Sequence, residues 1–174
     1  LRKSGAMAGA LFIMDRNENE LRLVAAYGYP PNSRLGQQSE EDRTYPADRG
    51  IVGRVIRSGQ PSLITDVNID PDYDETLPGC VAQLMVPLFS ANRVIGVMIL
   101  ESDREGELDL LDLDFVARLA EHRQLLVGAR AFAQNGMDVL HGPPAPQIVN
   151  DVVDELEQLE RELAGSGRVR ARAG

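Results

Sequence analysis

Residues 49–61 read RGIVGRVIRSGQP, and after a polar interval residues 84–102 read LMVPLFSANRVIGVMILES. The first piece predicts a short helix: Ile51, Val52, Val55 and Ile56 recur at helical spacing, and Ser58-Gly59-Gln60-Pro61 stops it. The second predicts two strands, 84–89 and 94–100, joined by the turn Ser90-Ala91-Asn92-Arg93. Both strands are apolar at successive positions instead of alternating, the pattern of a sheet covered on both faces. Between the two pieces lie a brief strand, 63–65, and a polar loop, 66–79, in which a helical turn is expected. That loop holds Asp66, Asp70, Asp72 and Asp74 together with Pro71, Tyr73 and Pro78. Nowhere does the stretch offer a nucleophile–base pair, a metal cluster or a phosphate loop, so it predicts docking or sensing before catalysis.

The pattern extends in both directions. Upstream, residues 8–14 (AGALFIM) and 21–27 (LRLVAAY) flank Asp15-Arg16-Asn17 and predict an antiparallel hairpin. Residues 28–46 read as loop, because Pro30-Pro31, Gly36 and Glu40-Glu41-Asp42 break any period. Downstream, 109–133 is the strongest helix. Leu113, Val116, Leu119 and Ala120 form one apolar stripe, Leu126 and Val127 extend it, and Asp112 and Asp114 suit its positive end. Four units follow: a domain over 1–133, a Pro/Gly linker over 134–147, an amphipathic helix over 148–164 and a disordered basic tail over 165–174. Val149, Val152, Leu156, Leu159 and Leu163 take a/d spacing for two heptads, short of the roughly three to four that fix a coiled coil, and two readings stand: a signalling or dimerisation helix, or a helix that folds back on the sheet.

The net charge of −9 leaves no basic face to displace counterions from nucleic acid. The single cysteine, Cys80, excludes an internal disulfide and a cysteine-based zinc site, and a cytoplasmic setting is expected. No apolar run reaches the roughly 20 residues of a membrane span. His122 and His141 have no partners at ligand spacing, so neither haem nor metal binding is expected of them.

The order strand, strand, loop, short helix, strand, polar loop, strand, strand, long helix resembles the GAF domain over roughly residues 5 to 132. RGIVGRVIRSGQP (49–61), DVNIDPDY (66–73), LMVPLFSANRVIGVMILES (84–102) and DLDFVARLAEHRQLLVGAR (112–130) carry the likeness. The resemblance implies an α+β, PAS-related fold: a five- or six-stranded antiparallel sheet, helices on one face, and a small-molecule pocket on the other beneath variable loops. The family's usual first helix is missing, so residues 1–4 read as its end.

Three specialised members of the family fit poorly. Bilin-binding domains carry a Cys-His pair upstream of the strand matching Leu84, whereas Val81 follows Cys80 here. Cyclic-nucleotide domains end their strand in Asn-Lys, where this chain has Glu101-Ser102; the aspartate loop also opposes a phosphate unless Arg49 and the backbone at Gly50 and Gly53 offset it. The methionine sulfoxide reductase branch has a cysteine where this chain has Val52. What the resemblance implies is therefore a non-enzymatic sensory or regulatory domain of a signal-transduction protein, homodimeric through its terminal helices. It would bias an output domain (kinase, cyclase or transcription activator) through the loop 66–79 and the long helix. Neither ligand nor cofactor is named by the residues. The expected lining is Val52, Val55, Leu63, Ile64, Asp66, Tyr73, Leu84 and Val86, with Tyr27 and Tyr45 as hydrogen-bonding tips. The alternatives are a ligand-free interaction or dimerisation module whose pocket has collapsed and, ranked below it, a cyclic-nucleotide-binding GAF domain or a GAF-type methionine sulfoxide reductase.

Overall fold

The two apolar runs become the centre of the sheet. In the computed structural model, which describes residues 6–15, 18–36 and 44–121, they are strands β5 (Ala82–Ser90) and β6 (Arg93–Ser102). The other strands are β1 (Ala8–Met14), β2 (Glu20–Tyr27), β3 (Thr44–Pro46) and β4 (Ser62–Ile64). The helices are α1 (Gly50–Ser58) and α2 (Leu110–Ala120), and the polar loop contains a single 3-10 turn, Val67–Ile69. The sheet has six strands in the order β3-β2-β1-β6-β5-β4, with every pairing antiparallel.

Side chains of successive residues leave a strand on opposite faces, and here both faces are covered. On one face Leu84, Val86 and Leu88 of β5 join Met98, Leu11 and Ile13, and α2 closes over them through Val116, Leu119 and Ala120. On the other, Met85 joins Val97, Ile99, Ala10 and Phe12, beneath Ile51, Val52 and Val55 of α1. The helices thus occupy opposite faces, whereas the resemblance placed them together. Each fully buried aliphatic side chain contributes about 1.5–3 kcal/mol of transfer free energy, so both layers hold the sheet.

Local chemistry sets the element ends. Gly59 ends α1 in the left-handed conformation, φ 64°, and its N–H donates to the Val55 carbonyl. At α2, the Asp109 carboxylate accepts from the N–H groups of Leu111 and Asp112, while Asp112 accepts from the Asp109 N–H, a reciprocal capping box. The interval 28–46 contains β3, which the sequence reading missed. Tyr45, 4% exposed, anchors it opposite Leu21, and β3 uses the free edge of β2. The remainder of the predicted long helix, the linker, the heptads, the tail and both histidines lie outside the described residues. Among the described residues no helix is long and apolar enough to cross a membrane.

The β5–β6 turn carries a correctable strain: Ala91 has φ 54°, where its Cβ crowds the following carbonyl. Ala91→Gly is expected to raise stability by roughly 0.5–1 kcal/mol, the relief of strain exceeding glycine's extra unfolded-state entropy. A higher urea midpoint at unchanged m-value checks it.

Candidate functional site

On the α1 face the sheet, α1, β3 and the loop 66–79 leave a cavity of about 10 Å³, room for one water molecule. Phe12, Leu21, Ile51, Val52, Met85 and Ile99 give it an apolar wall, and Tyr45, Asp74, Thr76 and Gln83 add polar groups. Behind this wall sits a charged group in the core. Glu101 is fully buried, and its Oε2 accepts a hydrogen bond from the Tyr29 hydroxyl at 2.6 Å. Its Oε1 accepts from Thr76 Oγ1 at 2.7 Å and from Gln83 Nε2 at 3.1 Å. Strand register brings Gln83 and Glu101 together as directly opposed residues of β5 and β6. Tyr29 arrives from the chain leaving β2, and Thr76 from the polar loop.

The surroundings respond to this buried carboxylate. Burial, and then the Glu101 charge, push the Tyr29 phenol well above its ordinary range. The same two causes in the same order push the Cys80 thiol up to about 12, and its Sγ donates to the Ala82 carbonyl at 3.3 Å. Burial also raises the Tyr73 phenol.

The loop that roofs the cavity is pinned by ion pairs. Arg54 of α1 grips Asp70 through two contacts, Nη2–Oδ2 at 2.5 Å and Nη1–Oδ1 at 3.2 Å, and reaches Asp72 at 3.0 Å. Asp74 takes Arg49 at 3.2 Å, Arg34 at 3.7 Å and the Tyr45 hydroxyl at 3.0 Å. The Arg34 guanidinium lies over the Tyr45 ring, 5.0 Å from its centroid. Burial first, then Asp74, push the Tyr45 phenol up to about 12. The aspartates that looked like turn formers in the sequence are thus the anionic half of a clamp. The hydrogen bonds from Arg54 hold the Asp70 carboxyl below the usual range. A lowered folded-state value means the pair stabilises above the unfolded carboxyl's pKa, near 4, and loses that contribution as pH falls below it. Arg54→Met is expected to cost about 1 kcal/mol at pH 7, given the half-exposed guanidinium, and to shrink the difference from the parent below about pH 4. Urea titrations at several pH values check both.

The predicted lining is only partly assembled. Val52 and Tyr45 line the cavity. Val55 is buried on the same face without reaching the wall, and Ile64 and Tyr73 pack where this cluster meets Ala8, Val67, Leu77 and Cys80. Asp66 is half-buried and caps the 3-10 turn by accepting from the Asn68 N–H at 3.0 Å. Leu63, Leu84 and Val86 must be corrected: they belong to the opposite face, under α2, because the pleat sends Gln83 and Met85 to the cavity side. Tyr27 is corrected too, being 81% exposed at the end of β2. Sequence reasoning missed Gln83, Thr76, Tyr29 and Glu101 as a group. Gln83 was the available signal, a lone polar residue within AQLMVPLF.

A profile of the GAF domain matches residues 1–125. No protein among the curated ones matches the sequence. Solved structures are alike in fold. The GAF domain of a phosphoenolpyruvate-protein phosphotransferase from Coxiella burnetii is 21% identical, TM-score 0.60, covering 75% of each chain. A free methionine-R-sulfoxide reductase from Neisseria meningitidis, in complex with its substrate, is 23% identical, TM-score 0.59, over 76% of this chain and 72% of its own. A GAF domain/HD domain protein from Geobacter sulfurreducens is 16% identical, TM-score 0.58, over 73% of this chain and 84% of its own. With the profile spanning well over half of the sequence and the sheet arranged as in these structures, the chain belongs to the GAF domain family.

Proposed function

We propose that this is a non-enzymatic sensory or regulatory domain, which takes a small molecule in the α1-face cavity and reports its occupancy to an output domain. The observation that carries this reading is that one loop, 66–79, supplies both the cavity and the clamp: Asp74 and Thr76 line the wall while Asp70, Asp72 and Asp74 bind the arginines. Filling the cavity therefore displaces groups that ion pairs hold in place, a two-state element of the kind signalling domains use. A kinase, cyclase or transcription activator outside this chain would read the change, with homodimerisation through the terminal helices. Native and denatured mass spectra of freshly purified protein test the pocket, since a molecule lost on denaturation identifies the ligand class. No bound molecule, and no thermal shift across a panel of cyclic nucleotides and amino acids, overturns the reading. Light scattering with and without residues 147–174 tests the dimer, and a monomer in both forms removes it.

The thiol chemistry favours this reading over a reductase. Cys80 is the only cysteine, it is buried, and a thiol pushed up to about 12 is almost wholly protonated at neutral pH. Cys80 is accordingly expected to resist iodoacetamide at pH 8 in the folded protein and to react fully in urea, as read by intact mass. One observation favours a second reading, the interaction module with a collapsed pocket: the cavity holds about 10 Å³, so any larger ligand must open it. That reading predicts that the panel produces no shift while a protein partner protects the domain from hydrogen exchange.

A further inference from the structure

Glu101 dictates which way the Gln83 amide faces. A carboxylate only accepts hydrogen bonds, so Gln83 turns its Nε2 toward Glu101 Oε1, at 3.1 Å. Its own Oε1 is buried without a hydrogen-bond partner among the described residues, and the residue, 4% exposed, lines the cavity. Flipping the amide would set oxygen against oxygen. Buried acceptors are rarely left unpaired, because water or a ligand normally meets them. The remaining polar groups of the wall are engaged: Asp74 by Tyr45, Arg49 and Arg34, and the Thr76 hydroxyl by Glu101. Among the described residues no cation pairs with Glu101, so negative potential lies directly behind Gln83.

Resting on the ligand-binding reading above, we infer that the cavity, which any molecule larger than a water must first open from its about 10 Å³, selects a small, largely apolar molecule that presents one N–H or O–H donor to Gln83 Oε1, and rejects anions of the same shape. The donor closes the unpaired valence, while Phe12, Met85 and Ile99 contact the apolar body. A carboxylate brings no donor and meets the Glu101 charge.

The test uses the full, ¹⁵N-labelled chain titrated separately with isobutyramide, isobutyrate and xenon, following the Gln83 side-chain amide and the backbone signals of Met85 and Ile99. Isobutyramide is expected to bind on the order of tenfold more tightly than isobutyrate, a hydrogen bond's worth of selectivity. Gln83→Met is expected to bring that ratio below about twofold while xenon still enters. Equal binding of the two organic probes, or an unchanged ratio in Gln83→Met, overturns the inference. So does xenon entering where isobutyramide does not, or a long-lived water found on Gln83 in protein that takes no isobutyramide. If no probe, xenon included, reaches the cavity, the ligand-binding reading itself falls. Should Gln83→Met fail to fold, the ratio in the unaltered protein decides.

Discussion

Replacing Glu101 with Ala is expected to lower the unfolding free energy by roughly 3–5 kcal/mol, a large part of a domain's total stability. The carboxylate is fully buried and takes three hydrogen bonds, from Tyr29, Thr76 and Gln83. Removing it strands three buried donors, each at a desolvation cost of about 1–3 kcal/mol, and leaves a void on the α1 face of the sheet. The hydroxyls of Tyr29 and Thr76 can rotate toward other acceptors, which keeps the sum below three full penalties. Glu101→Gln retains an acceptor for Thr76 and Gln83 and is expected to cost about 1–2 kcal/mol. Urea denaturation measures both, and a double-mutant cycle with Gln83→Met should be clearly non-additive, because the two residues share one network. A second readout follows from the charge: with Glu101 gone, the Cys80 thiol should fall from about 12 yet stay above the ordinary range, since burial is the larger cause. A loss under about 1 kcal/mol for Glu101→Ala would mean the network is not what holds this side of the sheet together.

The strand and helix order was legible because each element carries a local signal. The apolar runs of β5 and β6, the turn between them, and the Gly59 stop of α1 are short-range features, and each appeared within one or two residues of its expected place. β3 was not legible: three residues, Thr44–Pro46, become a strand only because β2 offers an edge. The site was legible only in its location. In β5 the residues from Ala82 to Leu88 are all buried, so hydrophobicity alone gives no parity and cannot tell Leu84 and Val86 from Gln83 and Met85. The single polar residue was the parity marker, for an amide in a doubly covered strand points to where polar partners are. Those partners are Glu101 by strand register, Thr76 from the loop and Tyr29 from the far end of β2, and no local pattern announces a set so dispersed. The aspartates of the loop show the same limit. Their composition reads as turn chemistry, and only the fold supplies Arg34, Arg49 and Arg54 as counterions.

A single methyl group at Gly53 is expected to destabilise the domain by about 2–4 kcal/mol, against the sign that helix propensity gives. In an exposed helix interior, Gly→Ala gains about 1 kcal/mol through reduced backbone entropy. Gly53 lies inside α1 and is buried. A Cβ there would stand 2.4 Å from both the carbonyl carbon and the oxygen of Asp48, a separation real side chains essentially never show. These are backbone atoms, and they are held in place. The Ala47 N–H donates to the Asn19 carbonyl at 2.9 Å, and Arg57 Nη1 donates to the Asp48 carbonyl at 2.8 Å. Relief therefore requires α1 itself to lift by about 1 Å, which withdraws Ile51, Val52 and Val55 from Phe12 and Met85 across a tightly packed layer. The overpacking cost exceeds the propensity gain, and the net sign follows. Because Ile51 and Val52 also line the cavity, the same variant should widen it, so that xenon binds more tightly in Gly53→Ala even as the urea midpoint falls. A stabilised Gly53→Ala would show instead that α1 rides freely over the sheet, and the clamp of Arg54 on Asp70 and Asp72 would then be what ties that helix to the loop it helps to close.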